Sequence, residues 1–217
     1  MSCCPDNPLV NVALSAHVLE GEPSEILILF AHGAGANRDS DFMCQMAAGL
    51  VAKGFQVMRF NFPYMQANAM DGKKRPPDRA PKLLACFSEM LDVAHAQPKV
   101  KRVVLMGKSM GGRMAALLAC DSVQASRIDR VICLGYPFIP LKGGEPRLEP
   151  LNDCQVPVLV LQGERDKFGG KMQIPTNDIQ IEYLADGDHS FVPRKSSGTT
   201  EAANLALAVD LSAKFIG

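Results

Sequence analysis

Apolar and polar positions along this chain keep two rhythms. Short apolar runs recur at residues 25–31 (EILILFA), 55–60 (FQVMRF), 102–106 (RVVLM), 130–134, 158–162 and 179–184. Runs of that length and composition are strands covered on both faces. Residues 9–18 alternate apolar with polar instead, as an edge strand does. Between the runs the period becomes helical. Residues 41–53 put Met43, Met46, Ala47 and Leu50 on one face, and Gly54 follows as a stop signal. Residues 82–97 are helical up to Pro98, residues 110–120 form a helix of small side chains, and residues 201–216 close the chain with another. Strands that alternate with helices at this spacing predict parallel βαβ units. The fold class is therefore α/β, a doubly wound, mostly parallel sheet of about seven strands flanked by helices. Residues 63–81, 135–157 and 168–178 keep neither rhythm and read as irregular. The first of these carries KKRPPDRAPK, either a solvated excursion or a lid that faces substrate.

Composition narrows the partners. The chain has 217 residues, 47% of them hydrophobic and 21% charged, which excludes a wholly disordered protein. Lys plus Arg number 23, as do Asp plus Glu, so no net charge draws the chain to nucleic acid or to an anionic membrane. No stretch approaches the roughly 18 apolar residues of a membrane helix. The N-terminal MSCCPDNP lacks the basic and apolar regions of a secretory signal. The seven cysteines are odd in number, irregularly spaced and without a CxxC pair, which points to reduced thiols and a cytoplasmic protein. Cys3 and Cys4 read as part of a frayed end. No His, Cys and Asp spacing resembles a zinc site, and HGAGAN has neither the lysine of a P-loop nor the GxGxxG spacing. No metal and no cofactor is expected.

The candidate chemistry centres on Gly107-Lys108-Ser109-Met110-Gly111, a G-x-S-x-G string. Five residues alone are a weak signal. Here an apolar strand runs into them and a helix rich in Ala and Gly runs out, the context of a nucleophile elbow at Ser109. A serine hydroxyl needs a base that a third group orients. Among His17, His32, His95 and His189, only His189 lies late in the chain, in the loop after the last strand (DGDHSF). That loop and Ser109 both belong to the carboxyl ends of strands, where open α/β sheets build their sites. The acid falls between them if the order is Ser, acid, His. Asp166, in the turn after LVLQ, is the first choice, Glu164 the second and Asp188 a weaker third. An oxyanion hole needs two backbone N–H donors. Met110 supplies one, and the loop His32-Gly33-Ala34-Gly35 supplies the other, from Ala34 first or Gly33 next. His32 then orients that loop rather than acting as a base. Lys108 and Arg113 flank the serine, and Lys108 reads either as a contact for an anionic substrate group or as a salt bridge at the rim. Arg59, at the end of a central strand, pins a loop or, less favoured, binds a substrate carboxylate.

The strings LILFAHGAGA, VMRFNFPY, VVLMGKSMGGRMA, LVLQGERD and DGDHSF follow one another as in the α/β-hydrolase superfamily. The resemblance runs from about residue 25 to the last helix. RFNFPY and GKSMGGR further resemble its small cap-less group, which includes testis-expressed protein 30 and dienelactone-hydrolase-like proteins. The resemblance implies a single α/β-hydrolase domain over residues 1–217, a triad of Ser109, Asp166 and His189, and oxyanion donors Met110 and Ala34. Dienelactone hydrolases carry cysteine at the elbow where this chain has Ser109. Many esterases insert a helical cap where this chain has only residues 135–157. The site is thus expected to be open, with Gly33, Tyr136 and Phe138 at the substrate and the 63–81 loop beside it. The expected function is hydrolysis of a small-molecule ester or thioester through an acyl-serine. Alternatives are a short-peptide serine peptidase and a non-catalytic interaction module that keeps the fold. The oligomeric state is not written in the pattern.

Overall fold

The computed structural model describes residues 17–140, 142–171 and 179–217. Its chain order is β1 (His17–Glu20), β2 (Ile26–Ala31), α1 (Asp41–Ala52), β3 (Gln56–Phe60), α2 (Pro63–Asp71), α3 (Ala80–His95) and β4 (Arg102–Lys108). There follow α4 (Met110–Leu118), α5 (Ser122–Ala125), β5 (Arg130–Leu134), α6 (Glu149–Asn152), β6 (Val158–Gly163), β7 (Ile179–Leu184) and α7 (Glu201–Ile216). The seven strands form one sheet in the order β1-β3-β2-β4-β5-β6-β7. Strand β1 is antiparallel to β3, and every other pairing is parallel. Most of the alternating stretch 9–18 lies outside the described residues.

Five of the six apolar runs became buried strands because both faces of the sheet are covered there; the sixth, β7 at the edge of the sheet, buries only Leu184 and corrects the expectation of a strand covered on both faces. One face packs Phe60, Phe62, Leu83, Phe87, Leu91 and Met114, bringing α3 and α4 onto the sheet. The other packs Met43, Met46, Leu50, Leu205, Ala208 and Ile216, from α1 and α7. The four residues assigned to the face of the first helix are its buried ones. Helix α7 starts at Thr200, whose hydroxyl accepts from the Ala203 amide at 3.1 Å, a side-chain N-cap.

Residues 63–81 are a correction to the irregular expectation. They open with the helix α2, which has Pro63 in its first turn and Gly72, at φ 70°, as its C-cap. Its apolar pattern is faint because only Tyr64 is buried, so no stripe marks the helical period. Among the described residues of 135–157 the single-turn α6 is the one helix. Part of 168–178 lies outside the described residues.

The chain runs outward from the middle of the sheet in both directions. Strand β2 steps to β3 on one side, and β4 leads through β5 and β6 to β7 on the other. The order therefore reverses between β2 and β4, whose register pairs Ala31 with Gly107. The loops leaving these two strands must part there, and such a crevice is where open α/β sheets hold ligands.

The aromatic cluster beneath that crevice is a test of the packing. Phe87 is fully buried, with its ring 5.1 Å from Phe60 and 6.1 Å from Phe62. Phe87→Ala is expected to cost about 3–5 kcal/mol, read as a lower midpoint in urea unfolding. An unchanged midpoint would mean that the cluster does not anchor α3.

Candidate active site

Strand β4 delivers Ser109 to the crevice, and the backbone turns sharply there. Ser109 has φ 51° and ψ −112°, a region that L-residues seldom occupy and that costs about 1–3 kcal/mol. Close backbone contact holds it. A Cβ on Gly107 would lie 2.1 Å from the Gly111 carbonyl carbon, and one on Gly111 would lie 2.6 Å from the Ala31 carbonyl oxygen. Only glycine lets α4 start this close to β4 and β2. The Ser109 amide donates to the Leu134 carbonyl at 2.9 Å, which ties the turn to β5. Met110 is the first residue of α4, so its N–H has no partner within the helix.

The loop after β2 faces this turn, and its carbonyls are held on the far side. His32 is fully buried. Its Nδ1–H donates to the Gly33 carbonyl at 2.7 Å, and its Nε2 accepts the Phe62 amide at 3.0 Å. That pair of contacts requires the neutral ring with its proton on Nδ1. Burial agrees, pushing the pKa of His32 down from 6.5 to about 4. The Tyr64 hydroxyl donates to the Ala34 carbonyl at 3.1 Å. A planar trans peptide points its N–H opposite its C=O. With the Gly33 carbonyl turned to His32, the Ala34 N–H points away from that ring. It has no acceptor among the described residues. Arg59 anchors the far end of the loop, with Nε 2.6 Å from Glu20 and its guanidinium against the Arg38 carbonyl and Asp39. Of the two readings of Arg59, the pin is the one observed.

Three carboxylates competed for the ring of His189, and their contacts separate them. His189 Nδ1 lies 2.8 Å from Asp166 Oδ2. The same oxygen accepts Gln162 Nε2 at 2.8 Å, while Asp166 Oδ1 accepts the Phe168 amide at 2.9 Å. Glu164 turns away to the Asp186 amide and to Lys171, and the Lys171 ammonium helps hold its carboxyl below the usual range. Asp188 Oδ1 accepts the amides of Ser190 and Val192 and so shapes its own loop. Gln162 was not foreseen. Its one signal is a polar residue at the end of an otherwise apolar strand.

These parts meet at a cavity of about 460 Å³, lined by Ser109, His189, Gly33 and Ala34. Its apolar walls come from Phe42, Met43 and Phe168, with the Phe168 ring 4.5 Å from that of His189. Tyr136 and Phe138, expected to frame the site, are a correction. Both are fully buried in the core under α3 and α4, and neither lines the cavity. The chain turns inward after β5, and the Tyr136 hydroxyl donates to the Arg147 carbonyl. The 63–81 stretch adds no lining residue either; Tyr64 works from beneath. Lys108 lines the cavity and donates from Nζ to the His189 carbonyl at 2.6 Å. Among the described residues no group of three or more His, Cys, Asp or Glu is arranged to hold a metal ion. No helix among them is long and apolar enough to cross a membrane.

A family model described as an alpha/beta hydrolase domain matches residues 24–217. The chain belongs to the alpha/beta hydrolase domain family. Solved structures share the hydrolase fold at low identity. A dienelactone hydrolase from Anabaena variabilis aligns with a TM-score of 0.68 at 17% identity, over 92% of this chain and 89% of that one. Est1E from Butyrivibrio proteoclasticus, solved with ferulic acid bound, aligns with a TM-score of 0.67 at 15% identity, over 92% and 93%. XC6422 from Xanthomonas campestris, described as an a/b serine hydrolase without lid, gives 0.65 at 16%, over 92% and 88%. In this hydrolase-family chain the single turn of α6 is the one helix among the described residues of 135–157.

His32 makes a pH prediction. Its pKa falls from 6.5 to about 4 on folding. Below pH 6.5 the unfolded chain takes up a proton that the folded ring refuses. The contribution is complete above pH 6.5 and is lost as pH falls through 4, about 3 kcal/mol in all. His32→Asn should flatten the urea stability profile between these pH values by about that amount. An equally steep profile in the variant would mean that other groups govern this window.

Proposed function

We propose that this chain is a serine hydrolase that cleaves a small ester or thioester through an acyl-serine intermediate. The reading rests on the 2.8 Å hydrogen bond between His189 Nδ1 and Asp166 Oδ2, at a cavity that Ser109 and His189 both line. Three donors converge on the buried Asp166 carboxylate: Gln162 Nε2, the Phe168 amide and His189 Nδ1. As acceptor from Nδ1–H, Asp166 fixes the proton of His189 there and leaves Nε2 as the base.

In this mechanism Ser109 Oγ attacks the carbonyl carbon while His189 Nε2 takes the hydroxyl proton. Negative charge moves to the carbonyl oxygen, which the Ala34 and Met110 amides receive. Collapse breaks the bond to the leaving oxygen or sulfur, and the imidazolium returns its proton to that atom. Water, deprotonated by His189, then attacks the acyl carbon; the acid leaves and Ser109 Oγ recovers its proton. Asp166 stays ionised and stabilises the imidazolium. The serine hydrolase and esterase descriptions of the structural neighbours support this class of reaction.

A fluorophosphonate probe with mass-spectrometric site mapping tests the reading. Wild type should label at Ser109, Ser109→Ala should not label, and His189→Ala should label at least about 100-fold more slowly. Asp166→Asn should lower ester turnover by about 10³–10⁴-fold with the fold intact. A folded wild type that resists the probe would overturn the reading in favour of an interaction module.

A further inference from the structure

We propose that Lys108 makes this site selective for acyl substrates that carry a carboxylate, with the ammonium as its recognition point. The inference deepens the serine hydrolase reading and rests on it. Lys108 is the residue just before the nucleophile, and its residue surface is 8% exposed. The side chain runs past the Gly33 loop, and a Cβ on Gly33 would sit 3.6 Å from Lys108 Cγ. Its Nζ ends 2.6 Å from the His189 carbonyl and 5.4 Å from the centre of the Phe42 ring. His189 and Phe42 both line the cavity, as Lys108 does.

The charge is what the tie to His189 leaves unexplained. One hydrogen bond to a carbonyl is within reach of any neutral donor. An ammonium brings three donors, and among the described residues Lys108 uses one. No carboxylate lies within ion-pair distance of it there. The fields of Asp166 and Asp188 favour the cation, yet burial outweighs them and pulls its pKa down to about 8. A buried cation without an ion pair is costly, and one that borders a cavity is relieved by an anion placed there. The cavity itself holds no competing carboxylate; its titratable lining groups are Lys108 and His189. A single ammonium 5.4 Å from the Phe42 ring, on a residue that lines the cavity with Met43 and Phe168, suits a carboxylate on an apolar chain. A phosphate monoester, with about two charges and three acceptor oxygens, calls for more donors than one lysine offers.

The test compares 4-nitrophenyl hydrogen adipate with 4-nitrophenyl hexanoate, acyl chains of equal length with and without the carboxylate. Wild type should favour the adipate ester at least 10-fold in kcat/KM. Lys108→Met keeps the stem and removes the charge, and should lower that ratio at least 10-fold; Lys108→Arg should keep most of it. Equal losses on both esters in Lys108→Met would leave the ratio unchanged and overturn the proposal, making Lys108 a tie to the His189 loop alone. Adipate binding by calorimetry separates this from failure of the hydrolase reading. If neither ester turns over but wild type binds adipate and Lys108→Met does not, the hydrolase reading fails and the anion site stands. If wild type does not bind adipate and shows no preference between the esters, the anion site fails.

Discussion

The arrangement depends on one backbone contact. Gly107 and Gly111 bring the start of α4 so close to the ends of β4 and β2 that no side chain fits between them. The strained turn at Ser109 is the result, and its cost is met by packing and by the Ser109 amide bond to β5. The same contact sets the first amides of α4 beside the loop that leaves β2. A wider turn would separate the hydroxyl from both amides, and the cavity would lose its chemical sense.

Around that turn the protein immobilises groups before any substrate arrives. His32 and Tyr64 hold the carbonyls of the β2 loop, and Arg59 holds its far end through Glu20 and Asp39. Gln162 and the Phe168 amide hold Asp166, which holds His189. Lys108 ties the backbone of His189 to the elbow. Such fixed dipoles need no reorganisation when charge develops, which is the main electrostatic advantage of a preorganised site. Gln162, Lys108 and Arg59 stand at the ends of strands, Tyr64 on the first turn of α2 and His32 directly after β2, while the Phe168 amide lies in the turn after β6. The two hydrophobic cores thereby set the position of the site.

Much of this was legible in the sequence because it is written in local patterns. The interior strands were plain as apolar runs, since a strand covered on both faces has no polar positions to spare. Ser109 and its glycines were legible because steric demand fixes residue type at each position of the turn. The Asp166 contact was one of three open choices, and no sequence rule separates Asp166 from Glu164, whose difference is the direction each side chain takes out of one turn. Tyr136 and Phe138 were misplaced because an aromatic residue after a strand suits a pocket wall and a core equally; the inward turn after β5 decides it. Helix α2 was missed because its exposed surface carries no stripe. The tie from Lys108 to His189 joins residues 81 positions apart, which spacing along the chain does not encode, whereas Gln162 stands only four residues before Asp166 and its direction toward that carboxylate is set by the turn after β6.

In the proposed mechanism the elbow and the β2 loop together form an oxyanion site at Ser109. The most direct measurement is a crystal structure of the protein after reaction with diethyl fluorophosphate, whose tetrahedral phosphorus stands in for the acyl intermediate. Phosphorus is expected to be bonded to Ser109 Oγ, with its phosphoryl oxygen about 2.7–3.1 Å from both the Ala34 and Met110 amides. A phosphoryl oxygen directed away from both amides, or an adduct on another residue, would contradict that mechanism.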